Sequence, residues 1–117
     1  MFVVDFASQR LAPNVDKQPH VFLACWRLFE VSGAQYCLAG IVPSFRALRI
    51  TSLIQAFDPA MRAWLTRSGR LYKTPGLPTQ NSALRADMHR LIRTSGISGD
   101  ISDVSDQIWN AMQWAVH

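Results

Sequence analysis

Between residues 20 and 74 the chain reads as a succession of short strands. Beyond Pro75-Gly76-Leu77-Pro78 the spacing of its apolar residues switches to that of helices. That switch restricts the chain to an α+β arrangement with the strands first. Residues 20–31 (HVFLACWRLFEV) are rich in β-branched and aromatic residues and apolar on both faces, which predicts a central strand covered on both sides. Ser32-Gly33 predicts a two-residue turn, and residues 35–42 the returning strand, ended by Pro43. Residues 47–57 predict a third strand and Asp58-Pro59 a turn. Residues 61–66 predict a fourth strand, Ser68-Gly69 a hairpin turn and residues 70–74 a fifth strand.

In the helical part, Asn81 or Ser82 is the expected cap, Leu84, Met88, Leu91 and Ile92 the apolar stripe, and Gly96 the stop. A last helix is expected from Ser102 or Asp103. Its stripe is Val104, Ile108, Met112 and Ala115, flanked by Trp109 and Val116, with Asp103 and Asp106 at the end the helix dipole makes positive. The expectation is a single domain over residues 1–117: a loosely assigned segment 1–19 with a short strand near 2–6, a mostly antiparallel sheet of four to five strands over 20–74, and two C-terminal helices over 81–117 packed on one face of it.

A chain of 117 residues buries about two thirds of its unfolded surface, enough to fold without disulfides or a metal. With a two-residue turn at Ser32-Gly33, Cys37 lies opposite Leu28 and Cys25 falls on the other face of the pleat. Two free, mostly buried thiols are therefore expected. The start, Met1-Phe2-Val3-Val4-Asp5-Phe6, lacks a basic leader, and no apolar run approaches the roughly 20 residues of a membrane helix. A cytoplasmic location without membrane attachment is the expectation.

The formal net charge of +4 is unevenly spread. Residues 46–93 hold nine basic groups against Asp58 and Asp87. A basic region attracts nucleic acid or an acidic protein face, although arginines also serve simply to solvate a surface. Within it, Arg62, Arg67, Arg70 and Lys73 are interleaved with Trp64 and Tyr72, the mixture by which single-stranded nucleic acid is held. Trp64 itself reads first as core. Arg90 and Arg93 lie on the helix face opposite its apolar stripe and join the candidate anion-binding set. Arg67-Ser68-Gly69-Arg70 offers amides and guanidiniums to a phosphate, but reads first as a plain hairpin turn.

Signatures of chemistry are missing. No Cys-x-x-Cys, His-Glu-x-x-His, Gly-x-Ser-x-Gly or glycine-rich phosphate loop occurs, and His20, His89 and His117 are far apart in sequence. The only glutamate is Glu30. No catalytic residue, metal or cofactor is assigned. Trp114 falls away from the apolar stripe of its helix, beside Gln107, Asn110 and His117. Trp114 reads equally as an interface anchor, which makes Trp114, Asn110 and His117 the candidate protein interface, and as a side chain packed under the N-terminal segment.

Cys25-Trp26-Arg27-Leu28-Phe29, Arg49-Ile50-Thr51-Ser52-Leu53-Ile54, Phe57-Asp58, Thr66-Arg67-Ser68-Gly69-Arg70-Leu71-Tyr72, Gly76, Pro78, Asp103-Val104-Ser105 and Ile108-Trp109 together are similar to a family of short uncharacterised proteobacterial proteins, often carried on mobile genetic elements. The likeness spans roughly residues 22–109, and Thr-Arg-Ser-Gly-Arg-x-Tyr is its most specific part. It implies a bacterial cytosolic protein in a phage, plasmid or anti-defence setting and carries no catalytic residue with it. Three functions follow in order: a small non-enzymatic protein-interaction module, such as an inhibitor or regulator encoded by a mobile element; a nucleic-acid-binding module using the Arg-rich middle; and an enzyme with a scattered site.

Overall fold

The computed structural model describes residues 3–4, 18–97 and 99–116, with side chains described for 18–97 and 99–111. Within them the chain is α+β, with mostly antiparallel strands and two helices. The strands are β1 (Val3–Val4), β2 (His20–Phe22), β3 (Ala24–Val31), β4 (Gln35–Val42), β5 (Ala47–Ile50), β6 (Ile54–Asp58), β7 (Ala63–Thr66), β8 (Leu71–Lys73) and β9 (Ile101–Asp103). The helices are α1 (Ser82–Thr94) and α2 (Ser105–Val116). The strands form two sheets, not the single sheet expected. A five-stranded sheet has the order β1-β5-β4-β3-β9 and a four-stranded sheet the order β2-β8-β7-β6. Only β1 with β5 and β2 with β8 pair in parallel.

Two of the expected strands turn out to be pairs of strands that change sheet at a corner, a device of packed sheets. Residues 20–31 break at Leu23. β2 pairs with β8, Leu23 N donates to Lys73 O (2.9 Å), and Ala24 then pairs with Ile41 of the other sheet. Residues 47–57 break at Thr51, which pins the second corner to β4. Its N–H donates to Leu38 O (2.9 Å), and its hydroxyl accepts from Leu38 N (3.0 Å) and donates to Ser52 O (2.7 Å). At the first corner the chain crosses β4 so closely that a Cβ on Gly40 would meet Leu23 Cβ at 3.1 Å and Ala24 O at 3.2 Å. A register shift between Ala24 and Arg27, with Cys25 at φ +50°, marks a bulge there.

The β3–β4 turn holds three residues, Ser32, Gly33 and Ala34, all at positive φ, between the pair Val31 and Gln35. Cys37 therefore faces Phe29 instead of Leu28. Both thiols are free, but only Cys37 is buried, since the bulge puts Cys25 at the surface.

The five-stranded sheet is covered on both faces, as the two-sided apolar pattern of residues 20–31 and 35–42 requires. On one face Phe29, Val31, Ala39, Ile41, Leu48 and Ile50 pack against Leu84, Met88, Leu91 and Ile92 of α1. On the other, Trp26, Leu28, Leu38 and Val42 meet Val21, Leu23, Trp64 and Tyr72 of the second sheet, with Ile108 and Trp109 of α2 packed alongside. The two helices thus address opposite faces, where one shared face was expected. Val104 N is bonded to Leu28 O (3.0 Å), which leads α2 toward the Trp26 side. α1 begins at Asn81, whose side chain accepts from Leu84 N (2.9 Å), and closes before Gly96 at φ +90°, as its sequence signals predict. The strand expected near residues 2–6 is present as β1, and most of the rest of the N-terminal segment lies outside the described residues.

Candidate functional site

Among the described residues a buried polar cluster forms around Arg27 that was not legible as a site in the sequence. Arg27, on β3, is 1% exposed, and it points at the segment that enters α2. Its Nε donates to Asp103 Oδ2 (2.9 Å) and its Nη2 to Asp103 Oδ1 (3.0 Å), a two-pronged pair. Nη1 donates to Thr79 O (3.0 Å) and Asp106 Oδ1 (3.3 Å). Ser105 completes the cluster: its hydroxyl accepts from Leu28 N (2.7 Å) and donates to Asp103 Oδ1 (2.6 Å). Asp103 also accepts from Ser105 N (3.1 Å), so it caps α2 in addition to pairing with Arg27. Burial raises the Asp103 carboxyl, but hydrogen bonds from Arg27 and Ser105 outweigh it and hold the group below the usual carboxylate range. Hydrogen bonds from Arg27 and Gln80 lower Asp106 likewise. Two ionised carboxylates clamped by one guanidinium are acceptors that join β3, β9 and α2.

The strand-and-turn cations do not come together. Arg62 lies over the Trp109 ring, its guanidinium carbon 4.1 Å from the centroid. Arg67 is exposed at the hairpin, whereas Arg70 is buried, with Nε donating to Gln18 O (3.0 Å). Lys73 is half-buried on the outer face of the second sheet. Trp64 and Tyr72, the aromatic residues among them, are buried between the sheets, and Trp64 Nε1 donates to Thr74 Oγ1 (2.8 Å). Trp64 is core, and the stacking platform that the interleaved pattern suggested does not form. Rings run in a row from Phe57 to Trp64 (3.9 Å), Trp26 (6.0 Å) and Trp109 (6.0 Å), and Arg62 closes the end of the row. The 67–70 turn closes on itself: Gly69 N donates to Thr66 O (2.9 Å) and Thr66 N to Arg70 O (3.0 Å). It is the plain hairpin turn of the sequence reading.

Asn110 is exposed, and the side chains of Trp114 and His117 lie outside the described residues. Among the described residues no group of three or more His, Cys, Asp or Glu side chains is placed to hold a metal. Burial pushes the Cys37 thiol up to about 12, far from a reactive thiolate.

Two concave surfaces stand out among the described residues. The first is a hollow of about 370 Å³ on the outer face of the second sheet, lined by Phe57, Asp58, Met61, Leu65, Leu71 and Lys73. The second is a groove of about 550 Å³ lined by Arg85, His89, Arg90 and Arg93 of α1 together with Phe29 and Asp103. No family model, curated protein or solved structure matches this chain.

Proposed function

We propose that this chain is a non-enzymatic protein-interaction module, a regulator or inhibitor of the kind mobile elements encode, and that its partner docks on the outer face of the second sheet. One observation carries the reading. Along β2, β7 and β8 the side chains alternate, with Val21, Trp64 and Tyr72 pointing into the core. The residues between them face outward, and an uncovered sheet face is normally polar. Here it holds Phe22, Ala63, Leu65 and Leu71, beside Met61, with His20 and Lys73 as polar members. Phe22 is 58% exposed, Met61 62% and Leu65 37%. Apolar surface grouped in this way marks an interaction site more often than a bare wall. Two further observations favour binding over catalysis: Arg27, Asp103 and Asp106 are spent on one another, and the Cys37 thiol is buried and protonated.

The test is site-specific photocrosslinking inside the native host. A benzophenone residue at position 65 is expected to give one discrete covalent adduct with another protein. One at position 45, where Phe45 on the β4–β5 turn is 55% exposed, more than Leu65, is expected to give none. Adducts from both positions, from neither, or only with a second copy of the chain would overturn the reading.

A further inference from the structure

The α1 groove is a separate surface with different chemistry. Arg85, His89 and Arg93 follow one another at intervals of four residues, so they form one stripe about 12 Å long along the helix. Arg90 lines the same groove. The carboxylates that oppose these groups are Asp103 and Asp106, beside Arg85, and Asp87, beside Arg90. Asp103 forms part of the wall, 3.6 Å from Arg85 Nη2, but its carboxylate already receives both prongs of the buried Arg27 and two bonds from Ser105. Arg27 is shared between Asp103 and Asp106, so Arg85 balances part of the negative charge left over, and a ligand phosphate would compete with Asp103 for it. Asp87 pairs with Arg90 at 3.1 Å, both at the surface, and such pairs are weak. Arg93 is exposed and has no ion-pair partner among the described residues. His89 packs in a T-shaped contact with Phe29, 6.3 Å between ring centroids, and both line the groove.

We propose that this groove binds the sugar–phosphate backbone of a single nucleic-acid strand. Cations strung along an axis fit a linear polyanion, whereas a lone phosphate is held by groups that converge on one point. The surface is also concave. A duplex is read by an element that protrudes into its groove, whereas an extended single chain lies in a cleft and stacks its bases on imidazole and guanidinium planes. The assignment moves nucleic-acid binding from the Arg62–Lys73 strands to Arg85, His89, Arg90 and Arg93. It stands independently of the docking face on the second sheet.

The experiment is fluorescence anisotropy of a labelled oligothymidylate titrated with the full chain at several salt concentrations. Binding is expected to weaken with salt at a slope of about −0.7 for each phosphate neutralised. Arg85→Ala with Arg93→Ala should reduce that slope by about 1.4 and weaken low-salt binding several-fold, and Arg85→Lys with Arg93→Lys should retain the slope. Arg93→Ala alone, which breaks no ion pair, should reduce it by about 0.7 and keeps the test open if the double variant is misfolded. Arg46→Ala with Arg67→Ala removes the same charge from other exposed sites and should leave the slope nearly unchanged. The assignment fails if no binding occurs at low salt, or if the 46/67 pair loses as much as the 85/93 pair. It also fails if a duplex, or a phosphoserine peptide at equal phosphate concentration, competes as well as the single strand.

Discussion

At the scale of single residues, the Arg27 cluster sets the chain's response to acid. Asp103 and Asp106 both have carboxyls held below their ordinary range in the folded protein. A group depressed on folding contributes stability above its unfolded pKa, and loses that contribution as pH falls through the folded value. Stability should therefore be flat near neutrality and decline as pH drops below about 4. Chemical denaturation at a series of pH values will show this, and Asp103→Asn should flatten the decline while lowering stability at pH 7. Arg27→Ala leaves Asp103 without its main partner and should cost about 3 kcal/mol, the lower end of the range for buried pairs because Asp103 is 19% exposed. The cysteines give a second residue-scale outcome. One thiol, the exposed Cys25, should react with a thiol reagent in the native protein, and Cys37 only after unfolding. Two protected thiols were expected because nothing in the residue types around Cys25 announces a bulge. Arg27 was equally hidden: an arginine in an apolar strand signals a partner, but that partner lies 76 residues away in sequence.

At the scale of elements, strand patterns revealed which residues are extended and missed where strands bend. An unbroken strand over 20–31 would put Val21, Leu23, Cys25 and Arg27 on one face. The bulge at Cys25 inserts one residue, so that Trp26 and Leu28 join Val21 and Leu23 in the core between the sheets. Helix α1 contains no such interruption, and there the cap, stripe and stop were all readable. The corners should be sensitive to small changes. Thr51→Val removes the hydroxyl that accepts from Leu38 N, strands a buried donor, and should cost about 1–3 kcal/mol in denaturant unfolding. Gly40→Ala places a methyl against Ala24 O and Leu23 Cβ and should destabilise by about 1–3 kcal/mol. If either variant melts like the wild type, its corner has more slack than these distances indicate.

At the scale of the whole molecule, the expected single sheet is two sheets, and the reason is geometric. Alternation along a strand reports that a face is covered, but it reports neither what covers it nor whether neighbouring strands belong to the same layer. The second sheet supplies the cover, and in doing so leaves its own outer face apolar. If that face serves a partner instead of the fold, charging it should be harmless to the isolated chain. Met61→Glu with Leu65→Asp is expected to change stability by no more than about 0.5 kcal/mol per site while abolishing the adduct that a benzophenone residue at position 22 of the same face forms in the otherwise unchanged chain.

The pairing of Arg27 with Asp103 also has a meaning in time. A ribosome delivers the guanidinium early and its carboxylate late, because β9 follows every other strand in the chain. Until residue 103 leaves the exit tunnel, β3 has an open edge and Arg27 has no acid to meet. A nascent chain that buries that strand in this state must bury an unpaired guanidinium with it. Commitment to the fold is thereby deferred until nearly all the sequence it requires has been synthesised.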